Sequence, residues 1–182
     1  MAERVSGGAW HEARQWARDL VIASAAAALI ILFLYQPVRV EGSSMQPRLA
    51  DQDRLFINKM AYRLGPVKRG DVVVFHVQGG APGAPKLSYI KRVIAVGGDV
   101  VRVDHGTVFV NGTALAEPYV PERFRDERSM EAMAVPAGEL FVMGDHRTIS
   151  SDSREFGPVA AAAVYGKAQF VYWPVAELGT VR

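Results

Sequence analysis

Between residues 20 and 35 no side chain carries a charge, and this run of alanine, valine, isoleucine and leucine has to be kept from water. As a helix rising 1.5 Å per residue it spans roughly 25 Å, a little short of the ~30 Å hydrocarbon core of a bilayer. The flanking Ala17 and Gln36, or local thinning, have to supply the difference. A buried helix of a soluble protein fits the same description, but the flanking arginines and tryptophans argue against it. A cleaved secretory leader needs a small-x-small site behind the apolar core, and Tyr35-Gln36-Pro37-Val38-Arg39 offers none. A helix lying in the membrane interface needs a polar face, which this run lacks. The segment therefore reads as an anchor: a tail over residues 1–19, a transmembrane helix over 20–36, and the rest, 37–182, on the far side. Trp10 and Trp16 are spaced to sit near an interface. Arg4, Arg14 and Arg18, offset by Glu3, Glu12 and Asp19, place the tail in the cytoplasm, an asymmetry that Arg39 at the other end reduces.

The 182-residue chain, 49% hydrophobic, holds one well-cored domain beside this anchor and hardly two. Pro37 stops helical structure, and residues 38–41 alternate like a strand. Strand patterns recur at residues 54–58, 71–77, 89–96, 100–103, 107–110, 140–143 and 169–173, which predicts a mainly β fold. Asp104-His105-Gly106 and Asn111-Gly112 are turn signals beside the middle pair. Residues 79–85, with three glycines and two prolines, read as a flexible loop, and 117–131, charged and proline-bearing, as an extended or mobile surface excursion. The net charge of +2 comes without a basic block, so no nucleic-acid partner is implied despite a pI near 9.0. The chain has no cysteine, which excludes disulfides and thiol catalysis; His11, His76, His105 and His146 are dispersed. No metal site and no cofactor are expected.

Ser44, in Glu41-Gly42-Ser43-Ser44-Met45-Gln46-Pro47, sits where a strand gives way to a turn. Read alone it is a turn serine bonding its own backbone; read as a nucleophile it needs a base. Lys91 can act as that base only when neutral. With a reference pKa of about 10.4, only about one lysine in a few thousand is neutral at pH 7, so Lys91 must be desolvated. Tyr89, Ile90, Val93 and Met45 are suitable apolar neighbours, and the plain alternative is that Lys91-Arg92 is a solvated basic pair.

Four runs, in order behind the anchor, resemble bacterial type I signal peptidase in its short, Gram-positive-like form. They are Gly42-x-Ser44-Met45-x-Pro47, Arg69-Gly70-Asp71-Val72-Val73-Val74-Phe75, Tyr89 to Asp99, and Gly144-Asp145-x-Arg147-x-x-Ser150-x-Asp152-Ser153-Arg154. The resemblance implies a signal-peptidase-like β-fold and a serine endopeptidase with Ser44 as nucleophile and Lys91 as general base. It makes the Ser44 backbone N–H the oxyanion donor and Ser150 the serine that orients the lysine. Arg92, Asp145, Arg147, Asp152 and Arg154 become structural supports, with an Arg92 to Asp145 pair bracing the lysine strand. Val38, Val40, Met45, Leu49, Tyr89 and Ile90 line shallow pockets for a signal peptide cut after small-x-small, commonly Ala-x-Ala. The implied partners are secretory preproteins and the lipid bilayer, near the secretion translocon, with catalysis on the outer face of the membrane. Where some relatives carry a second hydroxyl donor this chain has Gly42, and Arg48, His146, Thr148 and Ile149 also depart from the usual pattern. His146, in a Gly-Asp-His-Arg turn, reads as a surface residue. Two other readings stand beside this one: a self-cleaving repressor-type Ser/Lys peptidase, for which residues 1–36 leave no room for a DNA-binding domain, and a membrane-tethered β-rich binding module in which Ser44 and Lys91 are incidental.

Overall fold

The computed structural model describes residues 6–78 and 86–181. The loop expected at residues 79–85, and Glu3 and Arg4 of the tail, lie outside the described residues. The chain forms two units, divided after Gln36.

The first unit is the helix α1 (Ser6–Leu34). It starts well ahead of the uncharged run, because residues 9–19 are mostly alanine, arginine, glutamate and glutamine, which favour helix. The tail expected at 1–19 is thus helical from Ser6. The 25 residues of Trp10–Leu34 are long and apolar enough to cross a membrane, and at 1.5 Å each they run about 37 Å. The helix is thus longer than the uncharged run, and the added turns carry Glu12, Arg14, Arg18 and Asp19. Leu29, Ile30, Leu32 and Phe33 are uncovered by protein.

The second unit is built on two antiparallel sheets. The strands are β1 (Tyr35–Arg39), β2 (Arg54–Asn58), β3 (Val72–Gln78), β4 (Lys86–Val96), β5 (Val100–Asp104), β6 (Thr107–Val110), β7 (Thr113–Ala114), β8 (Met130–Ala134), β9 (Glu139–Met143), β10 (Val159–Ala160), β11 (Val164–Trp173) and β12 (Gly179–Thr180). The larger sheet runs β1-β2-β11-β3-β4-β9-β10 with β12 also on β11, and the smaller runs β7-β6-β5-β8. The mainly β expectation holds. β11 is longer than its sequence signal because Gly166 interrupts the apolar pattern. A β-carbon there would meet the Asn58 carbonyl at 3.1 Å, so the close approach of β2 needs glycine.

Three apolar clusters form the core. Val40, Met45, Leu49 and Leu55 lie in one, Ile94, Val101 and Phe141 in the second, Val73, Phe75 and Val93 in the third. The strand β4 touches all of them, since Ile90 packs on the first, Ile94 belongs to the second and Val93 to the third. Its register pairs Lys91 with Val73 and Arg92 with Val72 on β3, and Arg92 with Met143 on β9. Successive side chains on a strand face opposite ways, so Lys91 and Arg92 leave β4 on opposite faces. Both are buried, at 3% and 2% exposure.

The excursion at residues 117–131 is not a mobile surface segment. Glu117 and Val120 are buried, Glu122–Phe124 form a short 3-10 turn, and its last residues enter β8. Two of its acidic side chains, Glu117 and Asp126, are answered by Arg147 and Arg154, while Glu122, Arg123, Glu127 and Glu131 stay exposed.

Candidate active site

The turn that carries Ser44 follows β1. Val40 N–H donates to Asp53 O at 2.8 Å and Gln52 N–H to Val40 O at 2.9 Å, which clips the chain before it turns. Gly42 sits at φ +95, a left-handed conformation that favours glycine, and its N–H donates to the Asp51 carboxylate at 2.9 Å. That backbone explains why a glycine stands there. The turn then closes with Gln46 N–H to Ser43 O at 3.1 Å and Leu49 N–H to Met45 O at 2.9 Å, and Met45 anchors it in the core.

This turn and β4 bring together two residues 47 positions apart: Lys91 Nζ lies 2.6 Å from Ser44 Oγ. Burial pushes the Lys91 amine down to about 8, against the opposing pull of the Asp152 and Asp145 carboxylates. At pH 7 about one amine in ten is then neutral, a gain of more than two orders of magnitude over a free lysine. A neutral amine at hydrogen-bond distance accepts the hydroxyl proton and makes the oxygen nucleophilic. The Ser44 N–H makes no hydrogen bond among the described residues, so it is available to a developing oxyanion.

The cleft beside the pair encloses about 500 Å³. Val38, Val40, Met45, Tyr89 and Ile90 line it, and so do Val74, Ser88 and Tyr165, which sequence reasoning missed. Leu49 does not: it is fully buried in the core cluster behind Met45. As an apolar residue one turn beyond Met45 it faces inward, not toward the cleft.

The loop after β9 forms the back wall. A β-carbon on Gly144 would fall 2.5 Å from Ser44 O and 2.6 Å from Ser150 Cβ, so these groups fill the space a side chain would need. Ser150 is buried on this wall, yet its hydroxyl forms no hydrogen bond of ordinary geometry. The expected bond from Ser150 to Lys91 is absent, and the amine lies on Ser44 instead.

Behind the wall the arginines are fully paired. Arg92 Nε and an Nη donate to Asp145 at 2.8 and 2.7 Å, and its guanidinium lies 4.0 Å over the Tyr119 ring. Arg147 donates to both carboxylate oxygens of Glu117, at 2.9 and 2.5 Å. Arg154 bridges Asp152 and Asp126, each at 2.8 Å. Burial raises the Asp152 carboxyl, but Arg154 outweighs this and holds it below the usual carboxylate range. Glu117, Tyr119 and Asp126 are not among the residues the sequence singles out; the signal available was three arginines, 92, 147 and 154, sharing two aspartates, 145 and 152, in the last run.

His146, expected at the surface, is half-buried. Its backbone N–H donates to Ser44 O at 3.0 Å, and its ring packs on Phe124 with centroids 4.2 Å apart. Among the described residues, no group of three or more His, Asp or Glu side chains could hold a metal ion.

The family profile described as "Signal peptidase, peptidase S26" matches residues 13–173. The chain belongs to the signal peptidase family, peptidase S26. It is similar to signal peptidase I T of Bacillus subtilis (strain 168), 37% identical over 173 residues, 90% of this chain and 87% of that protein. Signal peptidase I of Bacillus licheniformis is 36% identical over 98% of each chain. Signal peptidase IB of Staphylococcus aureus (strain Mu50 / ATCC 700699) is 30% identical over 91% of this chain and 92% of that one. Among solved structures, a signal peptidase I from Enterococcus faecalis V583 matches with TM-score 0.46 and 30% identity, covering 57% of this chain and 97% of that chain. Membership of peptidase S26 makes the chain a serine endopeptidase, which displaces both the repressor-type and the binding-module readings.

Proposed function

We propose that this peptidase S26 member is a single-pass, membrane-anchored enzyme that removes signal peptides from secreted preproteins, with Ser44 as nucleophile and Lys91 as general base. One observation carries the reading: an amine and a hydroxyl 2.6 Å apart, at the edge of a 500 Å³ cleft lined largely by valines, Met45, Ile90 and two tyrosines. A preprotein lies extended in that cleft and pairs its backbone there, in the manner of strand addition. Ser44 Oγ attacks the scissile carbonyl as Lys91 Nζ takes its proton, and the oxyanion is met by the Ser44 N–H. The protonated amine hands its proton to the leaving amine, and the same base then draws a proton from the water that releases the acyl group. In an extended peptide the two alanines of Ala-x-Ala face the cleft and x faces away, so two small side chains suit pockets this shallow. Ser150 supports the lysine through the Gly144 wall, and Arg92, Asp145, Arg147, Asp152 and Arg154 keep that wall rigid. The helix α1 supplies the anchor, its arginines keep the N-terminus in the cytoplasm, and the peptidase unit works on the outer face near the translocon.

The test is incubation of detergent-solubilised protein with a preprotein carrying one Ala-x-Ala site, with the products weighed by mass spectrometry. Cleavage after the second alanine is expected. Cleavage elsewhere removes the specificity assignment, and no cleavage in detergent or in lipid removes the reading.

A further inference from the structure

A single residue holds two carbonyls of the nucleophile turn. Besides the bond from its backbone N–H to Ser44 O, His146 places ring Nδ1 3.3 Å from Ser43 O. A carbonyl oxygen only accepts, so Nδ1 carries the proton in this contact. Ser43 O also receives the Gln46 N–H at 3.1 Å, which occupies its second lone pair. The Ser43–Ser44 peptide is trans and planar, with its C=O and N–H pointing opposite ways. The N–H at the far end is the one Ser44 offers to an oxyanion. A donor on the C=O fixes the plane and, by polarising the amide, strengthens the N–H as a donor.

We propose that His146 is a positioning residue for oxyanion binding: its Nδ1–H clamps the Ser43–Ser44 peptide so that the Ser44 N–H is aimed and polarised toward the oxyanion of acyl transfer. The inference rests on the reading of Ser44 as nucleophile. It gains weight from Gly42, which brings no side-chain donor and leaves the Ser44 N–H with a larger share of the oxyanion charge. Phe124 packs against the imidazole in this pose, with ring centroids 4.2 Å apart.

The experiment uses the full chain in detergent micelles and two peptides of one Ala-x-Ala sequence, one ending in an aldehyde and one in the matching alcohol. The aldehyde adds the Ser44 oxygen: a C–O bond forms, the carbonyl π bond opens to an oxyanion, and Lys91 receives the hydroxyl proton. The alcohol binds without addition. His146→Phe keeps an aromatic ring against Phe124 and removes the donor, whereas His146→Asn keeps a donor on a shorter arm. His146→Phe is expected to lower kcat on a preprotein about tenfold with KM within about twofold, and to weaken aldehyde binding by the same factor. Alcohol binding stays unchanged, and His146→Asn recovers most of the loss. Equal weakening of aldehyde and alcohol, or an unchanged kcat in a folded His146→Phe protein, overturns the inference. Should His146→Phe not fold, the isosteric pair His146→Leu and His146→Asn reads the same split. A parent protein that neither cleaves nor binds the aldehyde sinks the Ser44 reading together with this one. An active parent with a silent His146→Phe sinks only the clamp.

Discussion

Lys91 and Arg92 are neighbours on β4, equally hidden from water, and they live in opposite electrostatic worlds. Arg92 meets a carboxylate in a two-pronged pair with Asp145, a carbonyl of Gly70 at 3.0 Å and an aromatic face. Lys91 meets one hydroxyl and, 5.8 Å from its centroid, the Tyr89 ring, but no carboxylate directly. Its carboxylates, Asp152 and Asp145, act on it only at a distance, since Asp152 is bonded to Arg154 and Asp145 to Arg92. The acidic side chains that could neutralise the lysine are all engaged by arginines. This division of partners keeps one cation permanently charged and structural, and leaves the other costly to charge and so reactive. Pairing strength, not burial, separates the braced arginine from the lysine proposed as base.

Removing the reactive member tests the contrast most severely. Ser44→Ala and Lys91→Met are expected to lower the turnover of a preprotein by about 10⁴-fold or more while the protein stays folded. Lys91→Met should also raise stability at pH 7. Holding the amine at about 8 instead of 10.5 costs the fold on the order of 3 kcal/mol at about 1.4 kcal/mol per pH unit, and an isosteric apolar chain has no such cost. Chemical denaturation of the two proteins reads the difference. A less stable Lys91→Met protein means the amine is better paired than its surroundings indicate.

The opposite sign is expected one residue later. Arg92→Met strands a buried carboxylate, Asp145, and should cost about 3–5 kcal/mol of stability, with a correspondingly lower urea midpoint. Replacing both Arg92 and Asp145 with apolar residues should recover much of that loss. A double variant as unstable as the single one would show that Arg92 matters through Gly70 and Tyr119 and not through the pair.

How much of this contrast could be read in the sequence follows from the range of the interactions involved. The strand positions were legible because alternation is local: residues 54–58 and 107–110 have the bounds of β2 and β6. Ser44, Lys91 and the Gly144 to Arg154 run stood out as short ordered motifs. Their supporting partners did not. Glu117, Tyr119 and Asp126 lie in a segment whose prolines and charges mimic solvent-facing loop, and only the fold places them on Arg147, Arg92 and Arg154. Leu49 failed in the other direction, since an apolar residue near a cleft and one behind it have the same sequence signature. α1 began earlier than its uncharged core because arginine and glutamate are good helix formers even where they end a membrane span.

The wall between the two charge environments can be broken without touching a charge. Gly144→Ala forces a methyl group into space held by Ser44 O and the Ser150 side chain, so the nucleophile turn must shift. A displacement near 1 Å at a reacting group can cost about 100-fold, and kcat/KM should fall by roughly that amount. The ion pairs behind the wall stay intact, so the urea midpoint should move far less than in Arg92→Met. A large loss of stability with normal turnover would place the strain in the arginine layer and not at Ser44.

The smallest effect is a matter of protons, and its sign separates Lys91 from every carboxylate near it. Below pH 8 the amine is charged in both folded and unfolded chains, and the fold carries the full penalty for burying it. Between about 8 and 10.5 the folded state has released a proton that the unfolded state still holds, so stability rises with pH. Asp152 works the other way: its depressed carboxyl contributes stability above the ordinary aspartate range, and that contribution is lost as pH falls through its lowered pKa. The two windows lie on opposite sides of neutrality and do not overlap. In rate, kcat/KM should climb about tenfold per pH unit below 8 and level off above it, as the free enzyme's base loses its proton. Lys91→Arg, which cannot deprotonate in this range, should remove the limb along with the activity. A limb centred near 6.5 would instead move the role of base from Lys91 to a histidine, with His146 the one beside Ser44, and the comparison between neighbours on β4 would lose its functional half.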